Sequence, residues 1–229
     1  MKHSGKARRA AFRVLLFCLV AAVVIWVLGL VAVVSTTILI AIGTPVLVTV
    51  FALFVIFTLY FFRDPNPRVP AGAGLVVSTA HGKVDAIDTV TEPKFMGGEC
   101  QRVSVFLSVF DVHVQNAPVA GKVAYFQYTE GEFINALRAE SAVHNENVLL
   151  GFEASDPPGE KVGVRLIAGV LARRIVPYAQ AGDEVARGER VCLIQFGSRA
   201  DIYLSAGAKI KVKLGDRVKG GETVVAAFE

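Results

Sequence analysis

The sequence predicts a mainly β (α+β) fold, with a barrel-sandwich-hybrid-like β domain preceded by a two-helix transmembrane hairpin. Three observations predict this fold class. An apolar stretch, residues 14–62, contains no Asp, Glu, Lys, Arg or His. Short segments rich in Val, Ile, Phe and Tyr, bounded by glycine, recur through the rest of the chain. Two glycine turns are nearly repeated, GDEVARGERV from Gly182 and GDRVKGGETV from Gly215.

The apolar stretch is long enough for two membrane crossings. A helix needs about 20 apolar residues to cross a hydrocarbon core of roughly 30 Å. The polar patch Ser35–Thr37 divides the stretch, and we expect spans near 12–34 and 38–62. Because basic residues flank both ends, the positive-inside rule predicts a multi-pass hairpin in the cell (inner) membrane, with the following domain in the cytoplasm. A cleaved signal peptide would have a much shorter apolar core.

The net charge of +4 comes from a basic N-terminal tail. Residues 1–13 contain five basic and no acidic side chains, and the rest of the chain has a net charge of −1. A basic tail beside a membrane span is an anchor signal that also attracts anionic headgroups. We therefore expect no nucleic-acid partner. The three cysteines are widely spaced and form no CxxC or metal-ligand pattern, so no metal site is predicted.

Residues 63–229 form the predicted globular domain, after a proline-rich linker that is not expected to be helical. The predicted strands are GLVVSTA, GKVDAIDTV, RVSVFLS, GKVAYFQY, RVCLIQF, ADIYLS, KIKVKLG and ETVVAAF. Segments 131–140 and 166–176 are candidates for short helices, although β-branched residues leave the second ambiguous. The repeated turns suggest the sandwich of lipoyl and biotinyl carriers, but the acceptor-lysine motif of those carriers is missing from the sequence.

Two polar islands interrupt the apolar segments and carry the candidate chemistry. In FLSVFDVHVQNAP, Asp111 and His113 alternate with valines, which predicts a strand with both polar side chains on one face. In FGSRADIYL, Gly197 and Ser198 break an apolar run. Taken singly, a structural hydrogen bond explains the first island and a turn explains the second.

Together, several segments resemble the short-form phosphatidylserine decarboxylase proenzymes in order and spacing. They are FFRDPNPRVP, FLSVFDVHVQNAPVAGKV, NEN at 145–147, IAGVLARRIV, GDEVARGE and FGSRADIYL. The resemblance covers nearly all of residues 61–227 and implies a lyase of phospholipid biosynthesis that converts phosphatidylserine to phosphatidylethanolamine. It implies self-cleavage between Gly197 and Ser198, giving a β chain that ends at Gly197 and an α chain of residues 198–229. The two chains would form a heterodimer, whose further oligomerisation stays open. The cofactor would be a pyruvoyl group derived from Ser198, which accepts the electrons left by the departing CO₂.

The resemblance also supplies candidate roles for the neighbouring residues. His113 is expected to assist decarboxylation, by contacting the scissile carboxylate or by reprotonating the product. Asp111 is a candidate to orient His113 or to act independently of it. Arg199 is expected either to hold a phosphate or carboxylate of the substrate or to pair with Asp201. Glu146 is a candidate lining residue of the pocket.

One position departs from the family pattern. The chain reads STAHGKV, so His81 stands where the family has the Asp of SPADGKV, a residue that the family links to self-cleavage. A neutral imidazole can itself act as a base on Ser198, or the substitution impairs maturation. The second hypothesis is therefore a non-catalytic, membrane-anchored relative that binds lipid headgroups or a protein partner.

Overall fold

A computed structural model describes residues 6–132, 144–169, 174–195 and 198–228. The chain divides into two compact units between Thr58 and Leu59. The first unit is helical, and the second holds the predicted globular domain together with the last residues of the helix.

The apolar stretch forms one helix, and the predicted two-helix hairpin is not observed. Helix α1 covers Lys6–Ile38, a π-helical turn covers Leu39–Gly43, and helix α2 covers Thr44–Phe61. The part from Leu15 to Phe61 is 47 residues long and apolar enough to cross a membrane. One long apolar helix of this kind fits membrane association.

The predicted turn at Ser35–Thr37 does not form, because the side-chain hydroxyl groups of these residues make hydrogen bonds within the helix. The three hydroxyl groups donate hydrogen bonds of 2.8 to 2.9 Å to the backbone carbonyls four residues earlier. Proline lacks a backbone N–H, and the π-helical turn ends just before Thr44 and Pro45. The helix therefore continues through the polar patch that the sequence offered as a division.

The described residues of the second unit contain fourteen strands, which confirms the mainly β prediction. The strands are β1 Leu75–Val77, β2 Gly82–Glu92, β3 Gly98–Leu107, β4 Val114–Asn116, β5 Gly121–Thr129, β6 Asn147–Ser155, β7 Pro158–Ala168, β8 Ile175–Pro177, β9 Glu184–Val185, β10 Arg190–Ile194, β11 Ser198–Leu204, β12 Lys209–Ile210, β13 Arg217–Val218 and β14 Val224–Ala227.

The main sheet has eight antiparallel strands in the order β13-β2-β3-β11-β7-β6-β5-β9. Strand β11 lies near its centre, between β3 and β7, and all seven of its residues are buried. Two smaller sheets, β1-β14-β12 and β4-β10-β8, complete the second unit. Because side chains alternate along a strand, Ser198 lies on the same face as Ala200 and Ile202, which belong to the hydrophobic core.

The repeated GD turns lie at the two edges of the main sheet. Strand β9 follows the turn at Gly182 and pairs with Gly121 and Lys122, whereas β13 follows the turn at Gly215 and pairs with Gly82 and Lys83. Both partner strands begin with the same three residues, Gly-Lys-Val. The internal repeat seen in the sequence is therefore a repeat of edge-strand pairing.

Four strands of the main sheet were not predicted, the long strands β6 and β7 and the short edge strands β9 and β13, and the helix predictions have separate outcomes. The end of β7 was read as the start of a helix at 166–176. In the described part of that segment the chain forms β7 to Ala168 and then β8 from Ile175, so the helix is wrong there. The other predicted helix, at 131–140, falls mostly on residues outside the described ranges.

Candidate functional site

Ser198 begins the central strand and has a buried, unsatisfied hydroxyl group. Its backbone lies opposite Leu107 of β3 and Ala168 of β7. The residue is 0 % exposed, and its Oγ atom has no hydrogen-bond partner in the described part of the chain. A buried hydroxyl without a partner costs about 1 to 3 kcal/mol, so such a group calls for an explanation such as a chemical role. Gly197, the other residue of the predicted cleavage site, lies outside the described residues.

The chain turns sharply just after the residue that faces Ser198. The loop Ser108–His113 follows Leu107, and the Asp111 carboxylate accepts hydrogen bonds from the Ser108 N–H at 2.9 Å and the Ser108 hydroxyl at 2.7 Å. This local side-chain bonding makes a turn, so the prediction that Asp111 and His113 share a strand face is wrong. The turn places both residues in the loop that leaves the partner strand of β11.

His113 is almost fully buried, with 1 % exposure. Its Nδ1 lies 2.9 Å from the backbone carbonyl of Asp111, and because a carbonyl can only accept, Nδ1 carries the hydrogen. The His113 carbonyl in turn accepts a hydrogen bond from the Ile194 N–H of β10. Burial lowers the pKa of His113, so the ring is neutral at pH 7 with its lone pair on Nε2. The Asp111 backbone carbonyl thus orients the His113 ring. The Asp111 carboxylate bonds to Ser108 and also accepts a hydrogen bond from the Arg217 guanidinium at 3.1 Å.

The end of the apolar helix packs against this loop within the second unit. The Phe61 ring is 1 % exposed and lies 4.3 Å from the His113 ring, centroid to centroid, with the planes inclined by 35°. The Tyr60 hydroxyl and the Arg63 guanidinium both donate to the Phe110 carbonyl, at 3.1 and 2.7 Å. Phe61 therefore packs against the His113 ring and forms one side of its buried environment.

His81 lies immediately before β2 and is half-buried. Burial lowers its pKa, and the negative charges of Glu222 and Asp111 oppose that effect. The charges of Asp111 and Arg63 act on both His81 and His113, so the two imidazoles share one electrostatic environment. The turn at Gly220 covers His81, because a Cβ at that glycine would lie 3.2 Å from the His81 Cδ2 atom.

Arg199 is paired with two carboxylates of the domain. Its Nε donates to the Asp201 carboxylate at 2.9 Å, and its Nη1 lies 3.4 Å from the Asp85 carboxylate. The side chain is 7 % exposed and, one residue after Ser198, points to the opposite face of the sheet. Burial raises the pKa of Asp85, and Arg199 opposes that effect. The alternative expectation, a salt bridge with Asp201, is the one that the structure contains.

Glu146 lies next to the site as a structural residue. Its carboxylate accepts a hydrogen bond from the Ile175 N–H at 3.1 Å, and its backbone carbonyl accepts one from Ala168, the residue opposite Ser198. Its neighbour Asn145 is 0 % exposed and donates its side-chain amide to the Ala168 carbonyl at 2.6 Å. These contacts fix β7 beside Ser198.

Sequence reasoning missed the contacts that three residues make at the site, namely Phe61, Ser108 and Asn145. Phe61 was assigned to a membrane span and to the family-like segment FFRDPNPRVP, but no sequence signal connects it to a histidine 52 positions later. Ser108 was also missed, although a serine three residues before an aspartate is a recognisable turn pattern. Asn145 was quoted within NEN, but only the fold shows that its amide reaches the strand beside Ser198.

Comparison with known proteins gives one consistent family. The family model described as phosphatidylserine decarboxylase matches residues 54–226. The chain is 41% identical over 180 residues to the phosphatidylserine decarboxylase proenzyme of Desulfotalea psychrophila, covering 79% of this chain and 83% of the relative. It is 45% identical over 172 residues to the proenzyme of the same name from Zymomonas mobilis, covering 72% and 69%. The region that the family model matches contains Ser198, His113 and His81.

Among solved structures, glucose permease IIA from Mycoplasma capricolum covers 68% of this chain and 96% of its own at 16% identity. The TM-score is 0.39, which carries no argument about fold or function.

Proposed function

Because the chain belongs to the phosphatidylserine decarboxylase family, we propose that it decarboxylates phosphatidylserine to phosphatidylethanolamine after cutting itself between Gly197 and Ser198. The observation that carries this proposal is the buried Ser198 hydroxyl, which has no partner in the described residues. The relatives are named proenzymes, a name that fits a chain that must be cut before it acts. The buried hydroxyls of Thr79 and Ser104 also have no partner in the described residues, and Ser198 differs from them as the serine of the family-like Gly-Ser pair.

Self-cleavage begins with the Ser198 oxygen. Oγ bonds to the Gly197 carbonyl carbon while the peptide nitrogen leaves it, which converts the amide into an ester. Removal of the α-hydrogen of residue 198 then breaks the Cβ–Oγ bond and releases the Gly197 carboxylate. Addition of water and loss of ammonia leave a keto group at the new N-terminus. We propose His81 as the base that accepts the hydroxyl proton, since its lowered pKa keeps the imidazole neutral at pH 7.

The fold suits a cut at this place because β11 is held from both sides. After cleavage, residues 198–229 would form the smaller chain, still paired along seven residues with β3 and along seven with β7. We therefore propose that the two chains stay together as a heterodimer. Strands β12, β13 and β14 belong to the same smaller chain and pair with other parts of the domain or with each other.

The residues around Ser198 fit a pyruvoyl group, since its precursor hydroxyl is buried and has no competing partner in the described residues. Such a group supplies an electron acceptor for the carbanion left by CO₂. In this proposal His113 excludes water from one side of the pyruvoyl group. It exchanges a proton through Nε2, because its Nδ1 donates a hydrogen bond to the Asp111 carbonyl. Phe61 and the Asp111 turn hold that ring in one orientation.

We also propose that the apolar helix anchors the chain in the cell membrane, with the domain on the cytoplasmic side. Basic residues stand at both ends of the apolar stretch, and the positive-inside rule can place both ends in the cytoplasm only if the stretch does not cross the bilayer as a single straight helix. A reporter enzyme that is active only outside the cytoplasm, fused after Glu229, should be inactive. An active reporter would contradict the proposed side.

The activity is tested with phosphatidylserine labelled at the serine carboxyl carbon. The purified chain in mixed lipid vesicles should release labelled CO₂, and the Ser198→Ala variant should release none. A chain that binds phosphatidylserine vesicles without releasing CO₂ would contradict the proposal and favour a non-catalytic relative.

A further inference from the structure

Phe110 is the most exposed aromatic residue in the described part of the second unit, with 64 % of its surface accessible. It lies at the tip of the loop Ser108–His113, three positions before His113. We propose that this loop inserts the Phe110 ring into the surface of an anionic phospholipid bilayer, and so forms the lipid-facing edge of the decarboxylation site. The inference rests on the proposed membrane-bound function.

The backbone of Phe110 is tied to the end of the apolar helix. Its carbonyl accepts one hydrogen bond from the Tyr60 hydroxyl and a second from the Arg63 guanidinium. The Arg63 guanidinium also lies 3.9 Å above the Tyr60 ring. Tyrosine and arginine at the end of an apolar span are typical of the membrane interface. In the proposed membrane-bound state, these bonds would hold the loop close to the level at which the helix leaves the lipid.

The surroundings of Phe110 favour a lipid partner over water. The adjacent Asp111 carboxylate turns inward to Ser108, so no uncompensated negative charge accompanies the ring. Arg217, whose side chain is 74 % exposed, pairs with that carboxylate and adds a second guanidinium to the one that Arg63 supplies. Because Asp111 neutralises one of these two guanidinium groups, the loop keeps one net positive charge beside the apolar ring, which favours the anionic phosphates above acyl chains. Burying the ring in hydrocarbon would be favourable, whereas exposing it to water is not.

Fluorescence of a single tryptophan tests the insertion directly. The only native tryptophan is Trp26, so Phe110→Trp is made together with Trp26→Phe in the full chain. The protein is placed in phosphatidylcholine vesicles with phosphatidylglycerol, with or without lipids brominated near the headgroup end of the acyl chains. The matched control is Ile87→Trp in the same Trp26→Phe background, since Ile87 is also exposed but lies in the middle of β2.

We expect the emission of the Phe110→Trp variant to shift to the blue and to fall at least twofold with brominated lipid. The Ile87→Trp variant should emit as in water and be unaffected by bromination. Water-like, unquenched emission from Phe110→Trp would overturn the proposal. So would blue-shifted emission that brominated lipid does not quench, because the indole ring would then be covered by protein, such as a second copy of the chain.

A second measurement separates lipid insertion from a general effect on the loop. Phe110→Asp should lower the turnover of long-chain phosphatidylserine in vesicles about tenfold and change that of a water-soluble, short-chain phosphatidylserine less than about twofold. Phe110→Leu should retain both activities. Equal losses on both substrates in Phe110→Asp would contradict the proposal. The quenching experiment does not depend on catalysis and can be repeated with Ser198→Ala. If the Phe110→Trp variant is quenched but the unchanged chain does not decarboxylate phosphatidylserine, the proposed function is refuted and the proposed lipid insertion is not.

Discussion

The aromatic ring of Phe61 and the imidazole ring of His113 lie 4.3 Å apart, both almost completely buried. Phe61 is the last residue of helix α2, and His113 ends the loop that follows the partner strand of Ser198. The end of the apolar helix is therefore a part of the proposed site. Removing that helix end would change the environment of the histidine as well as the anchoring of the chain.

This contact predicts a shifted pH profile for Phe61→Ala. Burial disfavours the charged imidazolium and so lowers the pKa of His113, and water admitted by the smaller side chain would raise that pKa toward its ordinary value of about 6.5. The neutral ring is the active form in our account. We therefore expect the acid limb of kcat/KM to move to higher pH, whereas kcat at pH 7, which lies above a pKa of about 6.5, should fall less than about twofold through titration.

Phe61→Leu is the control for this prediction, since leucine keeps an apolar side chain against the ring. Its acid limb should stay close to that of the unchanged protein. A profile that does not move in Phe61→Ala, at any level of residual activity, would show that Phe61 has no influence on the titrating group.

Substitutions at His81 test the base proposed for self-cleavage. His81→Ala should stop chain splitting or slow it at least a hundredfold, because general base catalysis contributes about 10² to 10⁴ in rate. Splitting of the unchanged proenzyme should also slow as the pH falls through the lowered pKa of His81 and the ring becomes protonated. Gel electrophoresis of freshly translated chain measures both effects.

His81→Asp restores the residue that the family pattern has at this position, so its chain should split. Unchanged splitting in His81→Ala would exclude the histidine as the base.

Gly220→Ala tests whether the turn over His81 supports processing. The added Cβ would lie 2.8 Å from the Asn116 Oδ1 atom and 3.2 Å from the His81 Cδ2 atom, so one of these side chains must move. We expect slower chain splitting, measured as for His81. Gly207→Ala is the matched control, since a Cβ at that glycine meets no atom within 4 Å, and its splitting rate should be unchanged. Equal rates in the two variants would contradict a role for the turn.

Arg199→Met tests the structural role that the fold gives to this arginine. The substitution leaves the fully buried Asp201 with only the more distant Arg102 guanidinium at 3.7 Å among the described residues. Removing one partner of a buried ion pair costs about 3 to 5 kcal/mol, which corresponds to a fall in melting temperature of roughly 6 to 20 °C in detergent.

Adding Asp201→Asn to Arg199→Met should recover part of that loss, because the buried charge is removed. Arg217→Ala breaks an exposed pair and should cost less than about 1 kcal/mol. A melting temperature of Arg199→Met equal to that of Arg217→Ala would show that the Arg199 pair stabilises nothing.

Strand β2 and the central strand β11 were predictable from the sequence, whereas the long strands β6 and β7 were not. Strand β2 has exposed polar residues that alternate with buried ones at its start, and glycine marks its first position. The first six residues of β6 are all buried, so they show no alternation of polar and apolar residues. Without that period a buried strand cannot be told from a buried helix segment by pattern alone.

The residues of the site were predictable where motifs are local. Ser198 and His113 stand out as polar groups within apolar runs, but the loop around Asp111 was read as a strand because Val112 and Val114 alternate with polar residues. Side-chain bonding to Ser108 overrides that alternation. The contact of Phe61 with His113 depends on the tertiary fold, and local sequence cannot reveal it.

The most direct test of the account is the mass of the purified full-length protein under denaturing conditions. We predict two chains, residues 1–197 and 198–229, with the smaller chain lighter than its serine-bearing sequence by the mass of ammonia. Ser198→Ala should give one intact chain of about 24.5 kDa. A single intact chain from the unchanged protein, with an unmodified serine at 198, would contradict the central claim.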